Sequence, residues 1–163
     1  MELQARLPPE ATAEDVREFA VNVRFQRGLA DRFRAGLIRS GALLEPMKAM
    51  LARYDVPEEL VYLPHVESSF NNATRSKFGA AGIWQFTRGT GREYMKIGYE
   101  VDERLDPLIA TRAAAALLSA NHEALQSWPL AITAYNHGRQ NLLRIVARTG
   151  RSGTTPCAPA CVT

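Results

Sequence analysis

The stretch from Glu67 to Gln85 contains the residues whose types and spacing are best suited to chemistry. Glu67 ends a mostly apolar segment, 60–66, which has the pattern of a buried helix. Burial and the negative end of a helix dipole both disfavour a charged carboxylate, so we expect the pKa of Glu67 to be raised. A carboxyl group that stays protonated can act as a general acid. The alternative is a surface glutamate that caps the chain or pairs with Arg75 or Lys77.

Neutral hydrogen-bonding side chains and aromatic rings follow Glu67 closely. Sugars are neutral polyols and amides, so such groups suit them better than charged side chains do. The polar set comprises Ser68, Ser69, Asn71, Asn72, Thr74, Ser76 and Gln85. The aromatic set, whose flat faces could stack on sugar rings, comprises Phe70, Phe78, Trp84, Phe86 and Tyr94. Core packing is the alternative for these rings, and we expect at least Phe70 and Phe86 to be core.

Composition and charge are those of one ordinary globular domain. The chain has 163 residues, 46% hydrophobic and 23% charged, with a net charge of +3. This charge is too small to indicate nucleic-acid binding, and no run of about 18 apolar residues predicts membrane insertion. The first residues lack the pattern of a targeting signal. Cys157 and Cys161 both lie near the end of the chain, so we expect no disulfide framework in the core.

Helical spacing of apolar residues dominates the chain, and sustained alternation is missing, which predicts an all-α fold of six or seven helices. We predict a linker at 1–11, an N-terminal helical segment at 12–54, a main domain at 55–149 and a flexible tail at 150–163. A loop is expected over 71–81. The predicted helices cover about 12–39, 46–54, 57–68 with a bend at Pro64, 87–97, 106–125, 128–135 and 142–146.

Four motifs, in this order, resemble the soluble lytic transglycosylase family of the lysozyme superfamily. They are Glu67-Ser68-Ser69-Phe70, Ala73-Thr74-Arg75-Ser76, Gly79-Ala80-Ala81-Gly82-Ile83-Trp84-Gln85 and Ala134-Tyr135-Asn136. The Gly-Ile-Trp-Gln form is most similar to the membrane-bound type D branch of that family. The similarity covers roughly residues 55–148. One departure is His137, which stands where the family has a small residue.

The resemblance implies a lysozyme-like catalytic domain at 55–149, preceded by an extra helical segment. It implies cleavage of the β-1,4 bond between N-acetylmuramic acid and N-acetylglucosamine in peptidoglycan, with formation of a 1,6-anhydro product. Glu67 would be the single acid/base, and Ser76, Gln85, Tyr135 and Asn136 would bind substrate. The resemblance implies that the protein needs no cofactor and no metal. It also implies that the protein acts in the periplasm or cell envelope. We expect a monomer whose partner is the glycan strand.

A hydrolytic lysozyme or muramidase on the same fold is one alternative. Such an enzyme would want a second carboxylate within about 5–10 Å of the first, and Asp102, Glu103 and Asp106 are the downstream candidates. Their segment has the pattern of a turn followed by a helix cap. A product one water lighter than the hydrolytic one would distinguish the two reactions.

Two further alternatives come from other classes of protein. His65-Val66-Glu67 together with Cys157 and Cys161 is similar to a zinc-deaminase signature, but the cysteines are separated by three residues instead of two. A glycan-binding module without catalysis would keep the aromatic and amide residues and would not need Glu67. Replacing Glu67 with glutamine would separate binding from turnover.

Overall fold

The computed structural model describes residues 30–149. The chain divides into two units, Met1–Ala30 and Asp31–Thr163, and the second unit contains almost all of the described residues. The predicted linker 1–11, most of the first predicted helix and the predicted tail 150–163 with both cysteines lie outside the described residues. The proposed domain boundaries therefore stay predictions.

Seven α-helices and two short 3-10 helices make up most of the described range. The α-helices are α1 (Ala30–Ser40), α2 (Leu44–Ala52), α3 (Leu63–Glu67), α4 (Arg88–Gly91), α5 (Pro107–Leu125), α6 (Trp128–His137) and α7 (Arg139–Thr149). The 3-10 helices are Glu58–Tyr62 and Glu103–Leu105. Within residues 30–149, β-pairing is limited to three isolated bridges. The predicted all-α fold is confirmed, and no helix in this range is long and apolar enough to cross a bilayer.

The central element is α5, which packs against α2, α6 and α7. Its start follows from Asp106-Pro107: the Asp106 carboxylate accepts hydrogen bonds from the backbone N–H groups of Leu108 and Ile109, both at 2.9 Å. Pro107 occupies a position where a missing N–H costs nothing. The small side chains on the buried face let the neighbouring helices approach closely; they are Ala110, Ala113, Ala114 and Ala115.

The cap of α5 can be tested by replacing Asp106 with alanine. We expect the free energy of unfolding to fall by about 1 kcal/mol, because two N–H groups lose their acceptor. Urea denaturation of the purified chain measures this change. Asp106→Asn is the matched control, since asparagine is an equally good cap, and a loss in that variant as large as in Asp106→Ala would contradict the capping role.

Glu67 lies at the C-terminal end of α3, as predicted. Where one bent helix was expected over 57–68, the chain forms a 3-10 helix followed by α3, and the change occurs next to Pro64. The helix ends because Ser69 and Phe70 adopt left-handed backbone angles, with φ of 52° and 54°. Arg39 of α1 holds this turn through two hydrogen bonds to the Ser69 carbonyl, at 3.1 and 2.7 Å.

The helix expected over 87–97 is wrong beyond Gly91. Only α4 is helical there, and the chain then turns back into a bridge between Ile97 and Asp102. The reason is a close tertiary approach, since a Cβ atom at Gly91 would lie 2.5 Å from Ile97 Cδ1 and 3.3 Å from Arg104 Cδ. Glycine at this position allows the chain to fold back on itself, and this contact overrides the helical pattern.

Candidate functional site

Glu67 is half-buried where α3 meets α6. Burial raises the pKa of its carboxyl group, and a hydrogen bond with the Asn136 side chain partly opposes that rise. Among the described residues no cation lies within ion-pair distance of Glu67, and Arg75 instead faces Asp102 at 4.0 Å. The expected direction of the pKa shift is therefore confirmed, and the surface ion pair with Arg75 or Lys77 is wrong.

The Tyr135-Asn136 pair brings α6 to the same carboxylate. The Tyr135 hydroxyl donates a hydrogen bond to the Trp84 carbonyl at 2.7 Å. Burial raises the pKa of Tyr135 well above its ordinary value, and the negative charge of Glu67 raises it further. Tyr135 therefore stays a neutral phenol next to Glu67, and two predicted site residues, distant in sequence, meet the predicted acid.

Gln85 uses its amide group to hold the glycine-rich loop, residues 79–85, in place. Its Nε2 donates to the carbonyls of Gly82 at 2.9 Å and Thr74 at 3.2 Å, while its backbone adopts a φ of 50°. Its Oε1 has no hydrogen-bond donor among the described residues. The side chain thus keeps one acceptor for another molecule, and the predicted contact with substrate stays a prediction.

Ser76 and Ser68 also organise this loop. Ser76 Oγ accepts hydrogen bonds from the backbone N–H groups of Phe78 at 3.2 Å and Ala80 at 3.0 Å, so its own hydrogen remains to be donated. Ser68 Oγ donates to the Ile83 carbonyl at 2.9 Å. This bond ties the residue after Glu67 to the loop that carries Gln85. Direct binding of substrate by Ser76 stays a prediction.

The expected role of Trp84 as a sugar-stacking face is wrong. Its side chain is fully buried, and its Nε1 donates to Thr111 Oγ1 at 2.8 Å. Phe70 and Phe86 are core residues, as expected. A buried ring cannot contact a sugar. Trp84 instead supports Tyr135, whose ring packs against the indole with a centroid distance of 6.4 Å.

Arg104 is the important residue of this region that the sequence analysis missed. Its side chain is 1% exposed, and its Nε and Nη2 each donate to the Asp102 carboxylate at 2.8 Å. Its Nη1 donates to the carbonyls of Gly79 at 2.8 Å and Phe86 at 2.9 Å. Gly82 packs on its backbone, where a Cβ atom would lie 1.9 Å from the Arg104 carbonyl oxygen. The glycine-rich loop is therefore wrapped around a buried arginine.

The sequence profile of the transglycosylase SLT domain matches residues 46–156, which is most of the chain. The chain belongs to this family. The membrane-bound lytic murein transglycosylase D of Escherichia coli (strain K12) is 36% identical over 94 residues, covering 56% of this chain and 21% of the relative. A putative tributyltin chloride resistance protein of Alteromonas sp. (strain M-1) is 33% identical over 95 residues, covering 57% of this chain and 46% of the relative. The match thus spans less than half the length of either relative.

The three acids considered as a second carboxylate for a hydrolytic lysozyme have structural partners instead. Asp102 is paired with Arg104, and this pairing lowers the pKa of its carboxyl group. Glu103 accepts a hydrogen bond from the Lys96 backbone N–H at 2.6 Å, and Asp106 caps α5. Within residues 30–149 no three His, Cys, Asp or Glu side chains gather as a metal site would require.

The contact between Asn136 and Glu67 can be tested without any substrate. We expect the pKa of Glu67 to rise in Asn136→Ala, because the hydrogen bond that opposes the burial effect is lost. Carbon-13 NMR titration of the carboxyl group measures the pKa. Asn141→Ala is the matched control, since Asn141 donates to the His137 carbonyl instead.

The same change has a defined sign for stability. The pKa of Glu67 is higher in the folded state than in the unfolded state, so protonated Glu67 favours folding more than ionised Glu67 does. Its contribution to the free energy of unfolding is therefore fully present below the unfolded pKa and is lost as the pH rises through the folded pKa. Asn136→Ala should extend this loss to higher pH. An unchanged Glu67 titration in that variant would contradict the contact.

Proposed function

We propose that this SLT domain is a lytic transglycosylase that cleaves peptidoglycan with Glu67 as its single acid/base. The observation that carries the proposal is a half-buried carboxyl group with a raised pKa, hydrogen-bonded to Asn136 and next to Tyr135. A raised pKa keeps the proton available for a leaving group at mildly acidic pH. The printed name of the Escherichia coli relative, a lytic murein transglycosylase, supports the same reaction.

In the proposed mechanism Glu67 first protonates the glycosidic oxygen, and the bond from that oxygen to C1 of N-acetylmuramic acid breaks. The acetamido group of the same sugar stabilises the positive centre at C1, as in substrate-assisted glycosidases. The Glu67 carboxylate then takes the proton of the muramyl 6-hydroxyl, and that oxygen bonds to C1. The atoms balance without water, Glu67 regains its proton, and one end of the cleaved strand is a 1,6-anhydro sugar.

The other site residues would hold the sugar in this reaction. Tyr135 stays neutral and, with its hydrogen donated to Trp84, offers oxygen lone pairs to a substrate N–H. Gln85 offers its Oε1 as an acceptor, and Ser76 offers its hydroxyl hydrogen as a donor. Asn136 lowers the pKa of Glu67 through its hydrogen bond, and we expect its amide group to contact the same sugar. A peptidoglycan substrate would require the protein to act in the periplasm or cell envelope.

The experiment that tests the reaction is digestion of purified peptidoglycan in water enriched in oxygen-18, followed by mass spectrometry of the soluble products. A transglycosylase gives anhydro ends that are one water lighter than hydrolysed ends and carry no oxygen-18. Labelled reducing ends would show a muramidase instead. Binding of peptidoglycan without any soluble product would show a glycan-binding module.

A further inference from the structure

A cleft lies between α4, α5 and the turn that joins α6 to α7. Its volume is about 250 Å³, and its lining includes Glu93, Asn121, Tyr135 and Arg139. Tyr135 is also the residue that lies next to Glu67. One side chain therefore forms a wall of both the cleft and the Glu67 site, so a ligand in the cleft would lie beside the reacting sugar.

Asn121 gives this cleft an unused hydrogen-bond acceptor. The residue is fully buried on α5, and its Nδ2 donates to the Ala131 carbonyl at 3.3 Å. Its Oδ1 has no donor among the described residues. A buried polar atom without a partner is costly and rare in native proteins, and an N–H group of a ligand in the cleft would satisfy it.

Glu93 and Arg139 add opposite charges to the lining of the same cleft. Within the described part of the chain neither is in an ion pair. Both act on the Tyr94 hydroxyl: after burial, Glu93 raises the pKa of Tyr94 and Arg139 lowers it. Both charged side chains therefore line the cleft and influence Tyr94, and they form no ion pair with each other.

We propose that this cleft binds a zwitterionic peptide group, with its carboxylate at Arg139, its ammonium group at Glu93 and an amide N–H at Asn121 Oδ1. Guanidinium–carboxylate and carboxylate–ammonium contacts are among the stronger hydrogen bonds in proteins. The stem peptides of peptidoglycan carry such groups, amide bonds included. Identifying the ligand as a stem peptide rests on the proposed function, and it makes the cleft a specificity site beside the glycan site.

The first test compares two substrates, peptidoglycan strands with their stem peptides and strands from which an amidase has removed them. For Glu93→Gln and Arg139→Gln we expect KM to rise about tenfold on the peptide-bearing strands, with kcat unchanged, because a charge-assisted contact is lost. On the stripped strands KM should not change. Glu123→Gln and Arg144→Gln, which change exposed side chains on α5 and α7, are the matched controls.

Equal changes in KM on both substrates, or no change in KM on either, would overturn the proposed peptide site. A second test does not depend on turnover: nitrogen-15 NMR titration with the zwitterionic dipeptide dialanine and with its acetylated, amidated form. Dialanine should shift the amides of Gln140 and Asn141, and Arg139→Gln should abolish that shift; the capped form should cause none. If the unmodified chain cleaves neither strand, the proposed function fails, and absence of a dialanine shift separately overturns the cleft.

Discussion

Replacing Glu67 with glutamine is expected to lower turnover of peptidoglycan by about 10²–10⁴-fold, the usual contribution of a general acid/base. Glutamine has nearly the same shape and can still hydrogen-bond to Asn136, but it can neither give nor take the proton that the mechanism needs. Initial rates of release of soluble fragments from purified peptidoglycan measure the loss. Cosedimentation with the insoluble polymer should show that binding remains.

The control for this variant is Glu59→Gln, which makes the same chemical change at an exposed position of the first 3-10 helix. It should retain full turnover. Persistence of turnover in Glu67→Gln would remove the basis of the mechanism. The folded state should tolerate the substitution well at any pH where Glu67 is ionised, because a carboxylate that is half removed from water is then replaced by a neutral amide.

The largest expected effect on stability comes from replacing Arg104 with methionine. We expect the free energy of unfolding to fall by about 3–5 kcal/mol, because the Asp102 carboxylate and two backbone carbonyls lose their buried partner. Urea denaturation measures the change. Arg112→Met, on the exposed face of α5, is the matched control and should unfold at nearly the same urea concentration as the unmodified chain.

The acid sensitivity of the fold gives a second readout of the same ion pair. Arg104 holds the pKa of Asp102 below its unfolded value, so this pair stabilises the fold above the unfolded pKa and its contribution is lost as the pH falls through the lowered one. In Arg104→Met this part of the acid dependence should disappear. Equal stability of Arg104→Met and Arg112→Met would show that the buried pair is not needed to hold the loop.

Local sequence patterns were sufficient for the elements whose causes are local. An aspartate–proline pair followed by alanines predicts α5 because the cap, the proline and the small buried face all act within one helix. The end of α3 at Glu67 follows in the same way from an apolar run that stops in polar residues. The meeting of Glu67 with Tyr135 and Asn136 joins distant parts of the chain, and it was expected only from the resemblance to a family.

Tertiary contacts determine what the patterns did not predict. Arg104 stands in a charged segment, where an arginine is ordinarily a surface residue, and only the folded glycine-rich loop reveals why it is buried. In the sequence, Trp84 cannot be distinguished from an exposed tryptophan that stacks on sugars, because both stand among polar residues. In the structure Thr111 and the core enclose it. The helical pattern over 87–97 yields to the close approach at Gly91, which depends on residues that come later in the chain.

Enclosure of Trp84 also gives the domain an optical reporter of its own. An indole that is fully removed from water emits at short wavelength and is protected from soluble quenchers such as acrylamide, whereas the other tryptophan, Trp128, is partly exposed and stacks on His122. Because the Trp84 ring packs near Tyr135, its emission spectrum reports on the support beneath the Glu67 site. A variant that has lost catalytic activity but remains folded keeps this short-wavelength emission. A variant whose core packing is lost does not.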